Sequence, residues 1–229
     1  MELAEFYDSR LGQMARRLIL RRVTEAWPNI RAQRLLGYGC AMPYLGGFVA
    51  KAERVVVAVP QMQDAAPARD FPSGLITVAP EDALPFPDAM FDRILVVHGL
   101  ERAEALRPLL RQLWRVLAPE GRILIVAPNR ASLWAQMERS PFGVGRPFSG
   151  SELNAMLRAA MFTPERESRA LYMPPLQSLS GSGPGWERLG ARFFAGLGGV
   201  HVVEAGKSLY APVGPAAVPV GALAQQIRA

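Results

Sequence analysis

The sequence predicts an α/β, doubly wound domain on a mostly parallel sheet, and three observations predict it. Short β-branched runs recur through the middle of the chain, they are apolar throughout rather than alternating, and a helix-periodic segment separates two of them. Continuously apolar strands are buried on both faces, and short strand–helix–strand connections make right-handed crossovers between parallel neighbours. Half of the 229 residues are apolar and a fifth are charged, which suits one compact domain. We place it at residues 1–212, with 213–229 as a peripheral tail.

Residues 1–30 read as an amphipathic helix, with Leu11, Met14, Ala15, Leu18 and Ala26 on one side and Arg10, Arg17 and Arg21 in a basic stripe. The stripe is either a solvated face or a surface for nucleic acid or acidic lipid. Arg22 falls on the apolar side and needs a partner or a route to water. The strands are Arg34 to Tyr38, which breaks on glycines, then Arg54 to Val59, Gly74 to Val78, Phe91 to Val97 and Gly121 to Ala127. Between the last two, Leu106, Leu109, Leu110, Leu113, Trp114 and Leu117 repeat at helical spacing until Pro119 and Gly121 stop them. Ser151 is expected to cap a helix through Ala160. Apolar segments at Glu167 to Met173 and Gly199 to Ala211 flank a helix-like run at 186–197, and Leu176 to Gly185 reads as a surface loop.

Composition excludes several classes. No run approaches the roughly 18 apolar residues of a membrane span, and the first ten residues carry acids where a secretory leader carries bases. A cytoplasmic protein without a membrane span is expected. Cys40 has no second cysteine to pair with, and with His98 and His201 as the two histidines no structural metal site is expected. The net charge is +6, and all but two of the 26 basic residues are arginines, scattered along the chain. Nucleic acid therefore enters as an alternative partner, without a patch of its own.

The segments EDALPFPDAMFDRILVVHGLE (81–101) and LWRVLAPEGRILIV (113–126) carry a Leu-Pro-Phe hallmark ahead of the fourth strand, with matching type and spacing beyond it. Through them the chain, from Arg34 to about Phe162 and on to Ala211, resembles the class I S-adenosylmethionine-dependent methyltransferases, in the methyltransferase type 11-like subgroup. The resemblance implies a Rossmann-like, mostly parallel seven-stranded sheet with a C-terminal antiparallel strand in GVHVVEAGKSLYAP (199–212). It implies S-adenosylmethionine as cofactor and a small-molecule or macromolecular methyl acceptor.

The resemblance also implies an acid-x-Gly-x-Gly-x-Gly turn after strand one, where the backbone approaches the cofactor closely. Here Gly37 stands for the acid, Ala41 for the second glycine and Pro43 for the third, around Tyr38, Gly39, Cys40 and Met42. The family's ribose-binding acid after strand two aligns with Pro60, leaving Gln61 or Gln63 as neutral substitutes. Its adenine-side acid aligns with Pro80, leaving Glu81 and Asp82, with Ala83 beside them. The implied cofactor-binding set is Gly37, Tyr38, Gly39, Ala41, Gln61, Glu81, Asp82 and Ala83. An unpaired buried hydroxyl or amine costs about 1 to 3 kcal/mol, so three absent carboxylates weaken the cofactor's hold by several decades unless other groups replace them.

Methyl transfer from a sulfonium is a displacement catalysed by positioning, helped by a base when the acceptor carries a proton. His98, at the end of the fourth strand with Glu101 just after it, is the expected catalytic residue; its alternative is a histidine packed beside the crevice. Cys40 reads as a small buried residue of the turn. Tyr38, Tyr44 and Trp134 line either pocket or core, and Phe142, Arg146 and Phe148 sit where the family places acceptor-covering elements. Two other functions share this sequence: an inactive methyltransferase-like binding or regulatory protein, and an RNA-associated relative whose binding falls steeply with salt. A cleft from Gly37 past Pro60 to Asp82 goes with the enzyme; a turn filled over Gly39 goes with the inactive protein.

Overall fold

The structure is a computed structural model that describes residues 3–61, 71, 72, 75–137, 140–175 and 183–208. Its seven-stranded sheet has the order β3-β2-β1-β4-β5-β7-β6. The strands are β1 (Arg34–Gly39), β2 (Arg54–Pro60), β3 (Ile76–Ala79), β4 (Phe91–Val97), β5 (Leu117–Pro128), β6 (Phe162–Ala170) and β7 (Val200–Lys207). The helices are α1 (Leu3–Asp8), α2 (Arg10–Ala26), α3 (Met42–Val49), α4 (Leu106–Val116), α5 (Leu133–Gln136), α6 (Gly150–Ala159) and α7 (Gly183–Phe193). The first five strands pair in parallel, and β7 runs antiparallel between β5 and β6. This is the Rossmann-like, mostly parallel sheet that the sequence implies.

Burial on both faces explains why the inner parts of the central strands are apolar at every position. Val57, Leu95 and Leu124 face one core, which also holds α1 to α3, and Leu36, Ile94 and Ile123 face the other, under α4 and α6. Helix α4 matches its apolar repeat, burying Leu109, Leu110, Leu113 and Val116. The Leu-Pro-Phe segment is held from this helix. The Arg115 guanidinium donates to Leu84 O at 2.9 Å, Phe86 O at 2.8 Å and Asp88 at 2.7 Å, while Leu84 is buried. Its sequence prominence thus has a packing cause.

Several boundaries differ from the sequence reading. The N-terminal helix is two helices broken at Ser9, whose hydroxyl accepts from Gly12 N at 3.0 Å and caps α2. A side chain at Gly12 would meet Phe6 O at 1.8 Å, so glycine there lets α1 fold back against α2. Ser149 rather than Ser151 caps α6, accepting from Glu152 N, and Ser151 lies inside the helix. β5 starts at Leu117, because Leu117 pairs with Phe91 ahead of a register shift. The segment expected at Glu167 to Met173 is β6, which ends at Ala170, and α7 takes in Gly183 to Gly185. Gln63, most of the 176–185 loop and the 213–229 tail lie outside the described residues. Arg22 finds its partners, donating to Arg169 O at 3.1 Å and to Glu25 at 2.8 Å.

Asp92 ties β4 to the start of β1, accepting from Arg34 N, Nε and Nη2 at 2.9, 3.1 and 3.0 Å. The hydrogen bonds from Arg34 hold the Asp92 carboxyl below its ordinary value, against the opposing effect of partial burial. A depressed folded pKa contributes stability that is full above about pH 4 and fades as pH falls through the folded value. Both side chains are about a third exposed, so screening limits the effect. Asp92→Asn is expected to cost about 1 kcal/mol at neutral pH, and the gap to the parent in urea unfolding is expected to narrow as pH falls below about 4.

Candidate active site

The carboxyl edge of the parallel strands is where a doubly wound sheet binds ligands, at the point between β1 and β4 where the strand order reverses. A crevice of about 380 Å³ lies on this edge, lined by Pro60 at the end of β2, Glu81 after β3, Gly99, Glu101, Arg102, Ala103 and Glu104 after β4, and Val144 and Gly145 from the loop between α5 and α6. It is at the small end of the size range for ligand pockets. Glu81 Oε2 accepts from Ala105 N at 3.0 Å, which puts its carboxylate at the N-terminal end of α4, where the helix dipole favours negative charge.

Glu101 is the unusual member of the lining. It is 3% exposed; its Oε1 lies 2.8 Å from His98 Nδ1, and its Oε2 has no hydrogen-bond partner among the described residues. A buried carboxylate oxygen without a donor is costly, and this one belongs to a residue of the crevice lining. Arg146 N donates to Glu101 O at 2.8 Å, fastening the loop to the crevice floor.

Behind Glu101 runs a buried polar chain. His98 Nε2 lies 2.9 Å from the Tyr7 hydroxyl, which lies 2.7 Å from the Tyr44 hydroxyl. One proton per contact is satisfied when Tyr44 donates to Tyr7, Tyr7 to His98 Nε2, and His98 Nδ1–H to Glu101. Burial is the main cause holding the Tyr7 and Tyr44 phenols well above the ordinary tyrosine value, so both remain hydroxyls at neutral pH. His98 itself has a left-handed backbone, φ 50°, a conformation uncommon outside glycine. Phe142 covers its ring at 4.9 Å and packs on Trp134 and Phe6. Tyr7→Phe removes a hydroxyl that serves two buried neighbours, and is expected to lower stability by about 2 kcal/mol in thermal or urea unfolding.

The sequence-derived residues divide into two groups. Glu81 lines the crevice, with exposed Asp82 and Ala83 next to it, and exposed Gln61 follows Pro60 at the mouth. Gly37, Tyr38, Gly39 and Ala41 are buried and do not line it. A side chain at Gly37 would meet Leu45 Cδ1 at 2.5 Å and Ala41 Cβ at 2.9 Å, so apolar packing occupies the place of the family acid. At Gly39, φ is 72° and a Cβ would meet Val97 O at 2.5 Å, while Cys40 N donates to Val97 O at 2.7 Å. The turn is zipped against β4. Tyr38 packs beneath Gly99 with its hydroxyl unpartnered among the described residues, and burial, with Glu81 nearby, pushes its phenol well up. The crevice therefore runs from Pro60 and Glu81 to Gly145 and stops short of Gly37.

The other sequence candidates are placed as follows. Trp134 is buried and donates to Met173 O at 2.7 Å. Phe148 enters the core beneath α6, and Arg146 extends to solvent, pairing with Glu152 at 2.7 Å. Tyr7 was not legible as a site residue: it lies 91 positions from His98, and its one sequence cue is a polar aromatic on the N-terminal helix.

Comparison with known proteins agrees with the architecture. Residues 36–125 match the methyltransferase domain family. The demethylmenaquinone methyltransferase of Thermus thermophilus is 32% identical over 85 residues, covering 36% of this chain and 39% of that enzyme, so the match spans about two-fifths of its length. A SAM-dependent methyltransferase of Thermotoga maritima superposes with a TM-score of 0.58 at 19% identity, over 86% of this chain and 91% of that one. The [4+2]-cyclase SpnF superposes with a TM-score of 0.60 at 20% identity, over 87% and 83%. Among the described residues, no helix is long and apolar enough to cross a membrane. The matched segment and the order of the sheet thus resemble those of methyltransferase domains.

Proposed function

We propose that this protein transfers a methyl group from S-adenosylmethionine to an acceptor, with the nucleoside half of the cofactor in the crevice between Pro60, Glu81 and Glu101. The observation that supports the reading is Glu101, which belongs to the crevice lining and whose buried Oε2 has no hydrogen-bond partner among the described residues. The absent acids at Gly37, Pro60 and Pro80 leave cofactor donors unmatched, and Glu101 offers one replacement carboxylate from the turn after β4. Glu81 adds a second negative group at the same edge. The residues thus fit the nucleoside half of the cofactor.

When bound, S-adenosylmethionine supplies an electrophilic methyl group on a sulfonium. This chain contributes position and charge: Glu101 accepts a donor and offsets positive charge, and Pro60 and Ala103 exclude water. Both His98 nitrogens are engaged, by Glu101 and Tyr7. We therefore assign His98 as a positioning residue that orients the carboxylate, rather than as a base acting directly on the acceptor. The acceptor approaches past Val144, which is 41% exposed at the crevice rim.

A second reading, an inactive methyltransferase-like binding protein, is favoured by the sealed turn. Cys40, Ala41 and Met42 are buried, and Tyr7 of α1 packs on Tyr44 of α3 behind them. In the enzyme reading, α1 yields so that the amino-acid half of the cofactor reaches the turn. Titration calorimetry with S-adenosylmethionine and S-adenosylhomocysteine separates the two. Dissociation constants in the micromolar range are expected for the enzyme; no heat at millimolar ligand would favour the inactive protein.

A further inference from the structure

Of the seven large hydrophobic residues exposed among the described residues, five gather at one place. Leu189, Phe193, Phe194 and Leu197 on α7 and the turn after it are 55, 64, 58 and 52% exposed, and Leu133 of α5 is 56% exposed. Below them a cavity of about 330 Å³ is lined by Leu133, Leu171, Trp186, Leu189, Phe194 and Leu197 among others. The patch lies where β5 and β6 end and β7 begins, on the same edge of the sheet as the crevice.

Among the described residues, the exposed charges of α7 are basic. Arg188 and Arg192 are exposed, and the Arg192 guanidinium sits 5.6 Å from the centre of the Phe193 ring. Neither arginine is in an ion pair among the described residues. The acid of this segment, Glu187, is buried and accepts from Tyr172 N at 2.7 Å. Helix α2 brings Arg21 and Arg22 close enough to influence Glu187, with Glu25 paired to both.

Contiguous exposed apolar groups of this kind mark an interaction surface. A protein partner would be expected to use neutral hydrogen-bonding side chains as well, at about one hydrogen bond per 100 to 200 Å². In the segment WERLGARFFAGL, residues 186–197, the exposed side chains include none; the one neutral donor, the Trp186 indole, is half-buried. Aromatic and aliphatic groups bordered by arginines suit the headgroup boundary of an anionic bilayer, where the rings enter the acyl region and the guanidinium groups meet phosphates. We propose that the α7 face docks on an anionic phospholipid surface through Leu189, Phe193, Phe194 and Leu197, with Arg188 and Arg192 on the lipid phosphates. The proposal is independent of methyl transfer.

Co-sedimentation of the full chain with vesicles tests it, using phosphatidylcholine alone and phosphatidylcholine with about one-third phosphatidylglycerol. The expected result is binding to the anionic vesicles, reduced about tenfold or more by Phe193→Glu with Phe194→Glu and by Arg188→Glu with Arg192→Glu. Raised salt is expected to weaken it as well. These side chains are exposed, so unchanged thermal unfolding of the variants confirms that the fold is intact. Absence of binding to either vesicle overturns the proposal. So does binding that ignores these variants and responds to Arg17→Glu instead, or a solution dimer that the Phe193 and Phe194 substitutions dissociate.

Discussion

Glu101→Gln is expected to weaken S-adenosylmethionine binding by about ten- to a hundredfold while leaving the fold in place. A hydrogen bond to a charged acceptor is worth about 1.5 to 3 kcal/mol, and a glutamine oxygen facing His98 still accepts from Nδ1 while its amide takes the place of Oε2. The substitution exchanges a buried carboxylate oxygen that has no partner among the described residues for a donor, and reverses what the site can recognise there. Glu101→Ala is expected to weaken binding similarly and also to destabilise the fold, because the buried His98 Nδ1 loses its partner. Glu81→Gln is the comparison. Glu81 spends one oxygen on Ala105 N, so its loss is expected to cost about 1 kcal/mol of stability and only a few-fold in affinity. Calorimetry on the three variants, alongside their unfolding curves, checks the ranking.

Gly39→Ala is expected to destabilise the protein by about 3 kcal/mol or more, lowering the melting temperature by roughly 10 °C. Two costs add. A left-handed backbone costs a non-glycine residue about 1 to 2 kcal/mol, and a Cβ 2.5 Å from Val97 O must push the turn off β4. That motion strains the 2.7 Å bond from Cys40 N to Val97 O. Gly46→Ala in α3 is the control, with nothing within 4 Å of the added carbon. It is expected to stabilise by about 0.5 to 1 kcal/mol, because a helix interior favours alanine. Differential scanning calorimetry of both variants separates a structural glycine from a merely tolerated one.

The contrast between these glycines shows what the sequence could convey. The strands were legible because Val55 to Val59 and Ile94 to Val97 are buried on both faces and therefore apolar at every position. Helix α4 was legible because its leucines follow the helical period. The break at Ser9 was missed because the apolar repeat of α2 extends into α1 without interruption, although Ser9 followed three residues later by Gly12 is a capping cue in hindsight. The antiparallel β6 was placed too late because Thr163 to Ser168 are largely exposed, so no apolar run marks it.

The site was legible only in its local parts. Glycine spacing located the turn, and the end of β4 located His98 and Glu101. Whether the turn was open depended on Tyr7, Leu45 and Val97, which come from distant segments and carry no signature of meeting there. The crevice consequently lies one strand away from where Gly37 pointed, on the Pro60 and Glu81 side.

The most direct measurement is a crystal structure of the protein soaked with S-adenosylhomocysteine. The account predicts the nucleoside between Pro60, Glu81 and Glu101, with a ligand donor within hydrogen-bond distance of Glu101 Oε2 and α1 displaced from Cys40. A soaked crystal with no ligand in that crevice, and Tyr7 still joined to His98 and Tyr44, would contradict it.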